Sequence, residues 1–374
     1  MEQPYILLTP GPLMTSETVK KTMLRDWCTW DDDYNINIVQ DIRARLVSLA
    51  TKQTSDYTSV LLQGSGTFSV EGTLISTIPA NGKLLILSNG AYGDRMQQIA
   101  EYANIPHDKI TWIESETVSP SKVDDYLSCH TDITHVSFVH CETTTGILNP
   151  LQEICSVVKK HNKCLIVDAI SSFGGIPYDI GELKIDFLIG SSNKCLQGVP
   201  GFGFILVRKE ALLQCKGNAR SLSLDIFAQW DTMEKQSGKW RFTSPTHVVR
   251  AFKQALDELD EEGGISERHR RYQENHKILM EGMQAIGFEP LLDTFLQSPI
   301  ISSFLYPTPS FSFNSFYKEL KEKGFVIYPG KISEKETFRI GTIGEVYPDD
   351  FKRLIAAIAT IDVSKNLKGN GSQK

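Results

Sequence analysis

The sequence predicts an α/β protein built on a mainly parallel sheet and followed by a smaller α+β domain. Short apolar segments alternate with helix-length segments through the first two thirds of the chain. Most of these segments are nearly continuous in Val, Ile, Leu and Phe, as expected of strands that are covered on both faces of a parallel sheet. After Pro245, amphipathic helices and shorter strands take over. The alternation predicts the large sheet, and the change of pattern predicts the second domain.

The predicted strands of the large sheet share this apolar character: Val60–Gln63, Lys83–Ser88, Val136–His140, Cys164–Ala169, Asp186–Gly190 and Phe202–Arg208. Helical patterns between them cover Phe68–Ile78 and Pro150–His161. Apolar residues at helical spacing predict a helix over Thr246–Glu262, which the pair Gly263–Gly264 ends. A further helix follows, and its basic group Arg268–Arg271 is predicted to form a solvated face.

The small domain is predicted from the elements that follow: the strand Ile300–Leu305, a helix around Phe313–Lys323, the strand Phe325–Tyr328, a strand around Phe338–Gly341 and a helix after Pro348. We therefore divide the chain into an N-terminal segment (1–15), a large domain (16–250), a small domain (251–363) and a tail (364–374). The tail is polar and rich in Gly and Asn, so we expect it to be disordered.

Composition excludes several classes of protein. The 374 residues carry 39 basic and 45 acidic side chains, and the net charge of −6 gives no support to nucleic-acid binding. The first residues lack the pattern of a signal peptide, and no apolar run approaches the roughly 18–20 residues of a membrane span. Seven scattered cysteines without a CxxC pair predict reduced thiols and a cytoplasmic protein. The eight histidines show no metal-ligand spacing, so we expect no metal site.

A phosphate-binding turn is the first of four features that indicate chemistry. The segment Gln63–Phe68 (Gln-Gly-Ser-Gly-Thr-Phe) lies between a predicted strand and a helix, so its amides and the positive end of the helix dipole can hold a phosphate. It is no dinucleotide fingerprint, because Ser69 stands where a third glycine would be, and it lacks the lysine of a P-loop. The alternative is a plain strand-to-helix turn.

The other three features are charged side chains. Asp168 ends a buried strand, where a carboxylate points into the ligand crevice of a parallel sheet; a helix N-cap is the alternative. Lys194 follows another buried strand and lies among small residues, where a lysine can lose its proton and act as a nucleophile. The alternative is an ordinary surface lysine. Arg339 has apolar neighbours, and its guanidinium suits either a substrate anion or a structural ion pair. Together the four features predict a pyridoxal-phosphate site.

The chain resembles the class V, fold-type I pyridoxal-phosphate aminotransferases from Leu7 to about Asp362. The marks of this broad family are the segments Gly64–Thr67, Ser88–Arg95, Glu142–Gly146, Val167–Asp168 and Asn193–Lys194. Longer segments resemble a subgroup that transfers the amino group of 2-aminoethylphosphonate to pyruvate: Trp30–Asn35, Ser171–Pro177, Lys194–Phe202, Ser221–Asp225, Lys239–His247 and Phe325–Lys331. The resemblance implies a large domain with a seven-stranded type of mainly parallel sheet, and a homodimer.

The resemblance also implies a role for each matching residue. Lys194 would be the Schiff-base lysine, Asp168 would pair with the pyridinium nitrogen, and Arg339 would bind the substrate anion. The cofactor phosphate would be held by Ser65, Gly66 and Thr67. Tyr92 would stack on the cofactor ring, and Thr143 and Asn193 would lie near the ring oxygen and the phosphate. Trp240 and Thr243 would reach the cofactor phosphate of the neighbouring subunit. An ordinary half-buried tyrosine is the alternative at Tyr92.

The implied reaction converts 2-aminoethylphosphonate and pyruvate to phosphonoacetaldehyde and alanine, the first step of phosphonate degradation. Lys194 would move the proton between the substrate carbon and the cofactor. The alternative is another class V aminotransferase, such as an alanine–glyoxylate enzyme. No cysteine follows Cys215, which argues against a cysteine desulfurase, and the chain has no basic N-terminal module of a cofactor-binding DNA regulator.

The two substrates place their anionic groups at different distances from nitrogen. A phosphonate also carries up to two charges, whereas the carboxylate of pyruvate or alanine carries one. We therefore expect a second cation beside Arg339 that serves the phosphonate. The candidates lie in the subgroup segments or near them: Arg241, Arg25 and Lys331.

Overall fold

The computed structural model describes residues 5–330 and 335–361 of the chain. The strands are β1 (Ile6–Leu7), β2 (Tyr57–Gln63), β3 (Leu84–Ser88), β4 (His107–Thr111), β5 (His135–Val139), β6 (Cys141–Glu142), β7 (Ile147–Leu148), β8 (Cys164–Asp168), β9 (Phe187–Ser191), β10 (Phe202–Arg208), β11 (Ile301–Leu305), β12 (Phe325–Val326), β13 (Tyr328–Pro329) and β14 (Thr337–Gly341). The helices are α1 (Glu17–Lys21), α2 (Asp32–Tyr34), α3 (Asp41–Ala50), α4 (Gly66–Thr77), α5 (Ala91–Tyr102), α6 (Pro120–Cys129), α7 (Leu151–Lys160), α8 (Lys209–Leu213), α9 (Ile226–Lys235), α10 (Thr246–Glu262), α11 (Gly264–Ala285), α12 (Phe313–Glu322) and α13 (Pro348–Ala359).

A seven-stranded sheet in the order β2-β10-β9-β8-β5-β3-β4 confirms the predicted α/β fold class. Its strands are parallel except β10, which is antiparallel to both β2 and β9. Each predicted strand of the large sheet is present, with ends shifted by at most a few residues. The sequence analysis missed β4, because this edge strand is half exposed and carries the mainly polar sequence His-Asp-Lys-Ile-Thr.

Helices cover both faces of this sheet, as the apolar strands require. Leu85 and Leu87 of β3 face the core that α3, α7 and α10 cover, whereas Leu84 and Ile86 face the core that α4 and α5 cover. The alternation is the two-residue period of a strand. Both faces are therefore buried, and the open ends of the strands are left to bind a ligand.

A second core lies around the three-stranded antiparallel sheet β11-β14-β13. Helices α11, α12 and α13 contribute apolar side chains to this core, and the N-terminal strand β1 joins it by pairing with β12. The predicted boundary between residues 250 and 251 falls inside α10, whose apolar face packs on the large sheet. The domain division stays a prediction, and the predicted tail lies outside the described residues. Over residues 5–330 and 335–361, no helix has the length and apolarity that crossing a membrane requires.

The prediction of a solvated face over Arg268–Arg271 is wrong for two of its residues. Arg268 is 1% and Arg271 8% exposed, and both form ion pairs with Glu262. Arg270 alone of the three arginines is exposed to solvent. The buried guanidiniums are tolerated because each also donates hydrogen bonds to backbone carbonyls.

Candidate active site

A cavity of about 190 Å³ lies at the carboxyl ends of β5, β8 and β9. It brings together seven residues that were predicted as site residues: Ser65, Gly66, Thr67, Tyr92, Asp168, Asn193 and Lys194. The predicted residues Thr143, Trp240, Thr243 and Arg339 are not among those that line it. Its other lining residues are Val70, Arg95, Val139, Cys141, Ile170, Ser171 and Ser191. The cavity occupies the place where an open α/β sheet binds its ligand.

The start of α4 forms an anion cradle at one end of the cavity. Ser65 precedes the helix as its N-cap residue, and its side chain makes no capping hydrogen bond. The amides of a first helical turn have no acceptors within the helix, so they can bind an anion together with the Ser65 hydroxyl. Gly66 must stay small, since a Cβ there would lie 2.6 Å from the Cδ1 atom of Ile170. The cradle fits a phosphate group.

Asp168 is the last residue of β8, and its carboxylate is buried in the cavity wall. Burial raises its pKa to about 6, against the opposing effects of the Ile170 amide and of the charges on Arg95 and Lys194. Its Oδ1 atom accepts a hydrogen bond from the Ile170 amide at 2.9 Å. A positively charged ring nitrogen beside this carboxylate would favour its ionised form.

Lys194 follows β9 and lies under the N-terminal segment of the chain. Its Nζ atom donates a hydrogen bond to the Pro10 carbonyl at 2.8 Å. Burial lowers the pKa of Lys194 to about 8, so a sizeable fraction of the amine is neutral near pH 8. Gly11 has a φ of +135°, and a Cβ there would lie 2.6 Å from Nζ. The glycine between two prolines was the sequence signal for this contact, and the sequence analysis did not use it.

Arg339 lies on β14 in the second core, and two backbone carbonyls fix its guanidinium. Its Nε donates to Pro329 at 2.9 Å and its Nη1 to Thr143 at 2.8 Å. Burial lowers its pKa, although an arginine stays charged at neutral pH. Within the described part of the chain, Nη2 has no hydrogen-bond partner. Arg339 thus stands beside the cavity with one donor group available to an anion.

Glu142 lies behind Tyr92 of the cavity wall, and no role was predicted for it from the sequence. Its carboxylate is fully buried, and burial raises its pKa to about 7. Oε2 accepts a hydrogen bond from the Tyr92 amide at 3.1 Å, and Oε1 accepts one from the Thr144 hydroxyl at 2.8 Å. Since the first turn of α5 carries Tyr92, Glu142 positions this ring at the cavity wall.

The remaining predicted residues lie in three places: the cavity wall, the protein interior and the surface. Asn193 lines the cavity, and its Oδ1 accepts a hydrogen bond from the Ser191 hydroxyl at 2.5 Å. Thr143 is fully buried, and its hydroxyl has no partner among the described residues. Trp240 packs edge-on against Phe202 in the core, with 6.3 Å between ring centroids, whereas Thr243 is exposed.

Two of the three candidate second cations, Arg25 and Arg241, are not among the residues that line the cavity. Arg25 lies 3.9 Å over the ring of Trp27 and pairs with Asp33, and Arg241 donates to the Leu222 carbonyl at 2.8 Å. Lys331 lies outside the described residues. A different cation, Arg95, lines the cavity. The assignment of a second phosphonate-binding cation stays a prediction.

Comparison with known proteins supports an aminotransferase. A family model for class-V aminotransferases matches residues 37–334. The chain is 66% identical over 356 residues to a 2-aminoethylphosphonate–pyruvate transaminase of Bacteroides fragilis, covering 95% of this chain and 98% of that protein. It is 64% identical over 359 residues to the protein of the same name from Phocaeicola vulgatus, covering 96% and 99%. Among solved structures, the pyridoxamine–pyruvate aminotransferase of Mesorhizobium loti superposes with a TM-score of 0.85 at 25% identity, covering 95% of this chain and 91% of that chain.

Proposed function

The chain belongs to the class-V aminotransferases, and on this premise we propose that it transfers the amino group of 2-aminoethylphosphonate to pyruvate. The products are phosphonoacetaldehyde and alanine, and the reaction is the first step in the degradation of this phosphonate. The choice of reaction class rests on one observation: Lys194, Asp168 and the Ser65–Thr67 cradle meet in one cavity. The choice of substrates rests on the names of relatives that are 66% and 64% identical over almost the full chain.

The cofactor of this proposal is pyridoxal 5′-phosphate, because the cavity supplies a partner for each of its polar groups. The cradle residues Ser65, Gly66 and Thr67 suit its phosphate, Asp168 suits a protonated ring nitrogen, and Lys194 suits its aldehyde. Asn193 in the cavity wall is available for the ring oxygen or the phosphate. The Thr143 hydroxyl lies outside the lining and has no partner among the described residues, and the family resemblance assigns it to the same two groups. When bound, the cofactor supplies an electron sink for the negative charge that forms when the substrate carbon loses its proton.

Lys194 is the group that moves the proton in this proposal. A lysine with a pKa of about 8 can take a proton from the substrate carbon and return it during turnover near neutral pH. The Pro10 carbonyl holds Nζ in place through a hydrogen bond of 2.8 Å. Arg339 orients the substrate through its anionic group.

The proposed assembly is a cytoplasmic homodimer with shared active sites. Thr243 is exposed and can reach a second subunit, whereas the side chain of Trp240 is packed in its own core. Consider a two-fold dimer that joins a Lys194→Ala subunit to a Thr243→Ala subunit. One of its two sites then contains Lys194 from the second subunit and Thr243 from the first, so both residues of that site are intact. Mixed dimers of these two variants should regain activity in one of their two sites. Mixed dimers no more active than the separate variants would contradict the sharing of sites.

The direct test of the proposed function is a panel of amine donors with pyruvate, with alanine as the measured product. The panel contains 2-aminoethylphosphonate and 2-aminoethylsulfonate, which have the same carbon chain and differ in the charge of the anion. We expect kcat/KM for the phosphonate to exceed that for the sulfonate by about tenfold or more, from at least one additional charge-assisted hydrogen bond. Faster turnover of alanine with glyoxylate would instead support the alternative class V reaction.

A further inference from the structure

We propose that Arg95 is an additional cofactor-binding residue, whose guanidinium neutralises the phosphate of the bound cofactor. The inference rests on the proposed function, because it takes pyridoxal phosphate as the ligand of the cavity. None of the four features that predicted the site includes this residue. The sequence analysis quoted Arg95 only as the end of the segment Ser88–Arg95.

The position of Arg95 places its charge at the cradle end of the cavity. It lies on α5, one turn after Tyr92, and lines the cavity. Its Nη1 atom donates a hydrogen bond to the Thr67 hydroxyl at 3.2 Å, and its guanidinium carbon lies 4.9 Å from the centroid of the Tyr92 ring. Stacking on Tyr92 holds the guanidinium plane beside the cradle.

The cradle needs a cation that its own residues do not supply. Ser65, Gly66 and Thr67 offer amides and hydroxyls, whereas a phosphate monoester carries about −1.5 to −2 charges at neutral pH. Among the lining residues, the basic side chains are Arg95 and Lys194, and the amine of Lys194 is directed to the Pro10 carbonyl. Arg95 is therefore the cation that is available to the phosphate.

The guanidinium of Arg95 is not neutralised by the surrounding protein. Across residues 5–330 and 335–361, no carboxylate lies within 4.0 Å of it. Its sequence neighbour Asp94 instead pairs with Lys109 at 2.5 Å and accepts a hydrogen bond from the Ser88 hydroxyl at 2.8 Å. The positive charge of Arg95 acts to lower the pKa of Asp168, whereas the larger effect of burial raises it. An anion in the cradle would complete the charge balance at this end of the cavity.

Two other roles compete with this one. Arg95 could bind the phosphonate of the substrate, but its contact with Thr67 places it at the cradle, whereas Arg339 contacts Thr143 and Pro329. It could also act only as a support for the Tyr92 ring. The three roles differ in what they predict for ligands with and without a phosphate.

The experiment therefore compares the binding of pyridoxal phosphate and of pyridoxal, which lacks the phosphate, to cofactor-free protein. Equilibrium dialysis gives both dissociation constants for the wild type, Arg95→Gln, Arg95→Lys and the control Arg353→Gln. The control arginine likewise lies over an aromatic ring, that of Phe325 at 5.9 Å, but on α13 of the second core. Circular dichroism and the unfolding midpoint of each cofactor-free variant check that the proteins are folded.

We expect Arg95→Gln to weaken the binding of pyridoxal phosphate by about 10- to 100-fold, the effect of one charge-assisted hydrogen bond, and to leave the binding of pyridoxal almost unchanged. Arg95→Lys should recover part of the loss, because it keeps the charge but not the fork of donors. The control should match the wild type for both ligands.

Three outcomes would overturn the inference. Equal losses for the two ligands would assign Arg95 to the support of the Tyr92 ring. Unchanged binding of both ligands by Arg95→Gln would exclude a role in cofactor binding. If the variant then showed a higher KM for 2-aminoethylphosphonate, Arg95 would be assigned to substrate binding. A wild-type protein that binds neither ligand would instead contradict the proposed function, so the two failures are distinguishable.

Discussion

Two groups of buried or partly buried charged residues lie close to the segment that carries Lys194. The first, the cavity cluster, consists of Lys194, Asp168 and Glu142. Burial dominates there and moves each pKa toward the neutral form: down to about 8 for Lys194, and up to about 6 for Asp168 and about 7 for Glu142. None of the three pairs with another in an ion pair. The protein thus keeps incompletely compensated charges at the cavity, where Asp168 and Lys194 line it and Glu142 lies behind Tyr92, and such groups are typical of ligand-binding sites.

The second group, the arginine cluster, consists of Glu262, Arg268 and Arg271. Burial acts to raise the pKa of Glu262, but hydrogen bonds and charges from Arg271 and Arg268 outweigh it, and the pKa is lowered. Its carboxylate pairs with Arg268 Nη2 and Arg271 Nε, both at 2.7 Å. Every charge in this group has a partner inside the protein.

The arginine cluster connects the segment of Lys194 to the residues that follow β14, the strand that carries Arg339. Arg268 donates to the Cys195 carbonyl at 3.0 Å, directly after Lys194. Arg271 donates to the carbonyls of Gly344 and Val346, just beyond β14, at 2.9 and 2.8 Å. The paired buried charges stabilise the structure, whereas the unpaired ones are the groups that we propose for the chemistry. Substitutions in the two clusters should therefore have opposite consequences for activity and stability.

The largest expected effect is the loss of activity in Lys194→Ala. Without the amine, the proton transfer loses its base, and we expect kcat to fall by at least about 10⁴-fold. The visible absorbance of the lysine-bound cofactor should disappear as well. The free energy of unfolding of the cofactor-free protein should not fall, since the variant removes a charge whose burial is costly. Near-normal turnover in this variant would remove Lys194 from the mechanism.

Asp168→Ala should have the next largest effect, a loss of about 10³-fold in kcat. In the proposed mechanism the carboxylate would stabilise a positive ring nitrogen, and the alanine variant would remove that stabilisation. Stopped-flow measurement of the reaction with 2-aminoethylphosphonate alone isolates this step from the reaction with pyruvate. Asp168→Asn, which keeps the shape, should lose a similar factor. A loss of only a few-fold would mean that Asp168 has a structural role.

Glu262→Gln should affect stability rather than chemistry. It leaves two buried guanidiniums without their counter-charge, and breaking a buried pair in this way costs about 3–5 kcal/mol in the free energy of unfolding. Urea denaturation measures the loss, with the neighbouring Glu261→Gln as the control on the exposed side of α10. In the folded variant kcat should stay within about tenfold of the wild type. If Glu262→Gln kept full stability and lost most of its activity, the distinction between the clusters would fail.

The smallest expected effect is the pH dependence that Lys194 adds to stability. In the native protein its amine loses the proton near pH 8, whereas in the unfolded chain it keeps the proton until about pH 10.5. The unfolded state therefore binds more protons between these values, and the free energy of unfolding of the cofactor-free protein should rise across that window, by about 1.4 kcal/mol for each pH unit. In Lys194→Ala this rise should be absent. Identical pH profiles for the two proteins would contradict the lowered pKa.

Strand positions and the residues at strand ends could be predicted from the sequence. Asp168 and Lys194 follow continuous apolar segments, and such segments are buried strands wherever helices cover both faces of a sheet. The cradle at Ser65–Thr67 could be predicted for the same reason, because its small residues separate a strand from a helix. These features depend on neighbouring residues in the chain, so a local pattern is enough to find them.

The contacts of the arginine cluster could not be predicted in this way. A run of basic residues on a helix usually faces solvent, and the carbonyls of Cys195, Gly344 and Val346 that bind Arg268 and Arg271 are more than 70 residues away in the chain. The approach of Pro10 to Lys194 likewise joins residues that are 184 positions apart. Only the tertiary packing brings these groups together.

Borohydride reduction of the cofactor-loaded protein, followed by proteolysis and mass spectrometry, identifies the lysine that binds the cofactor. Reduction fixes the cofactor on the lysine that holds it. We expect a single pyridoxyl phosphate group, on the peptide that contains Lys194, and no modified peptide in the Lys194→Ala variant. A cofactor fixed on another lysine, with Lys194 unmodified, would contradict the assignment of the cavity cluster as the site of the chemistry.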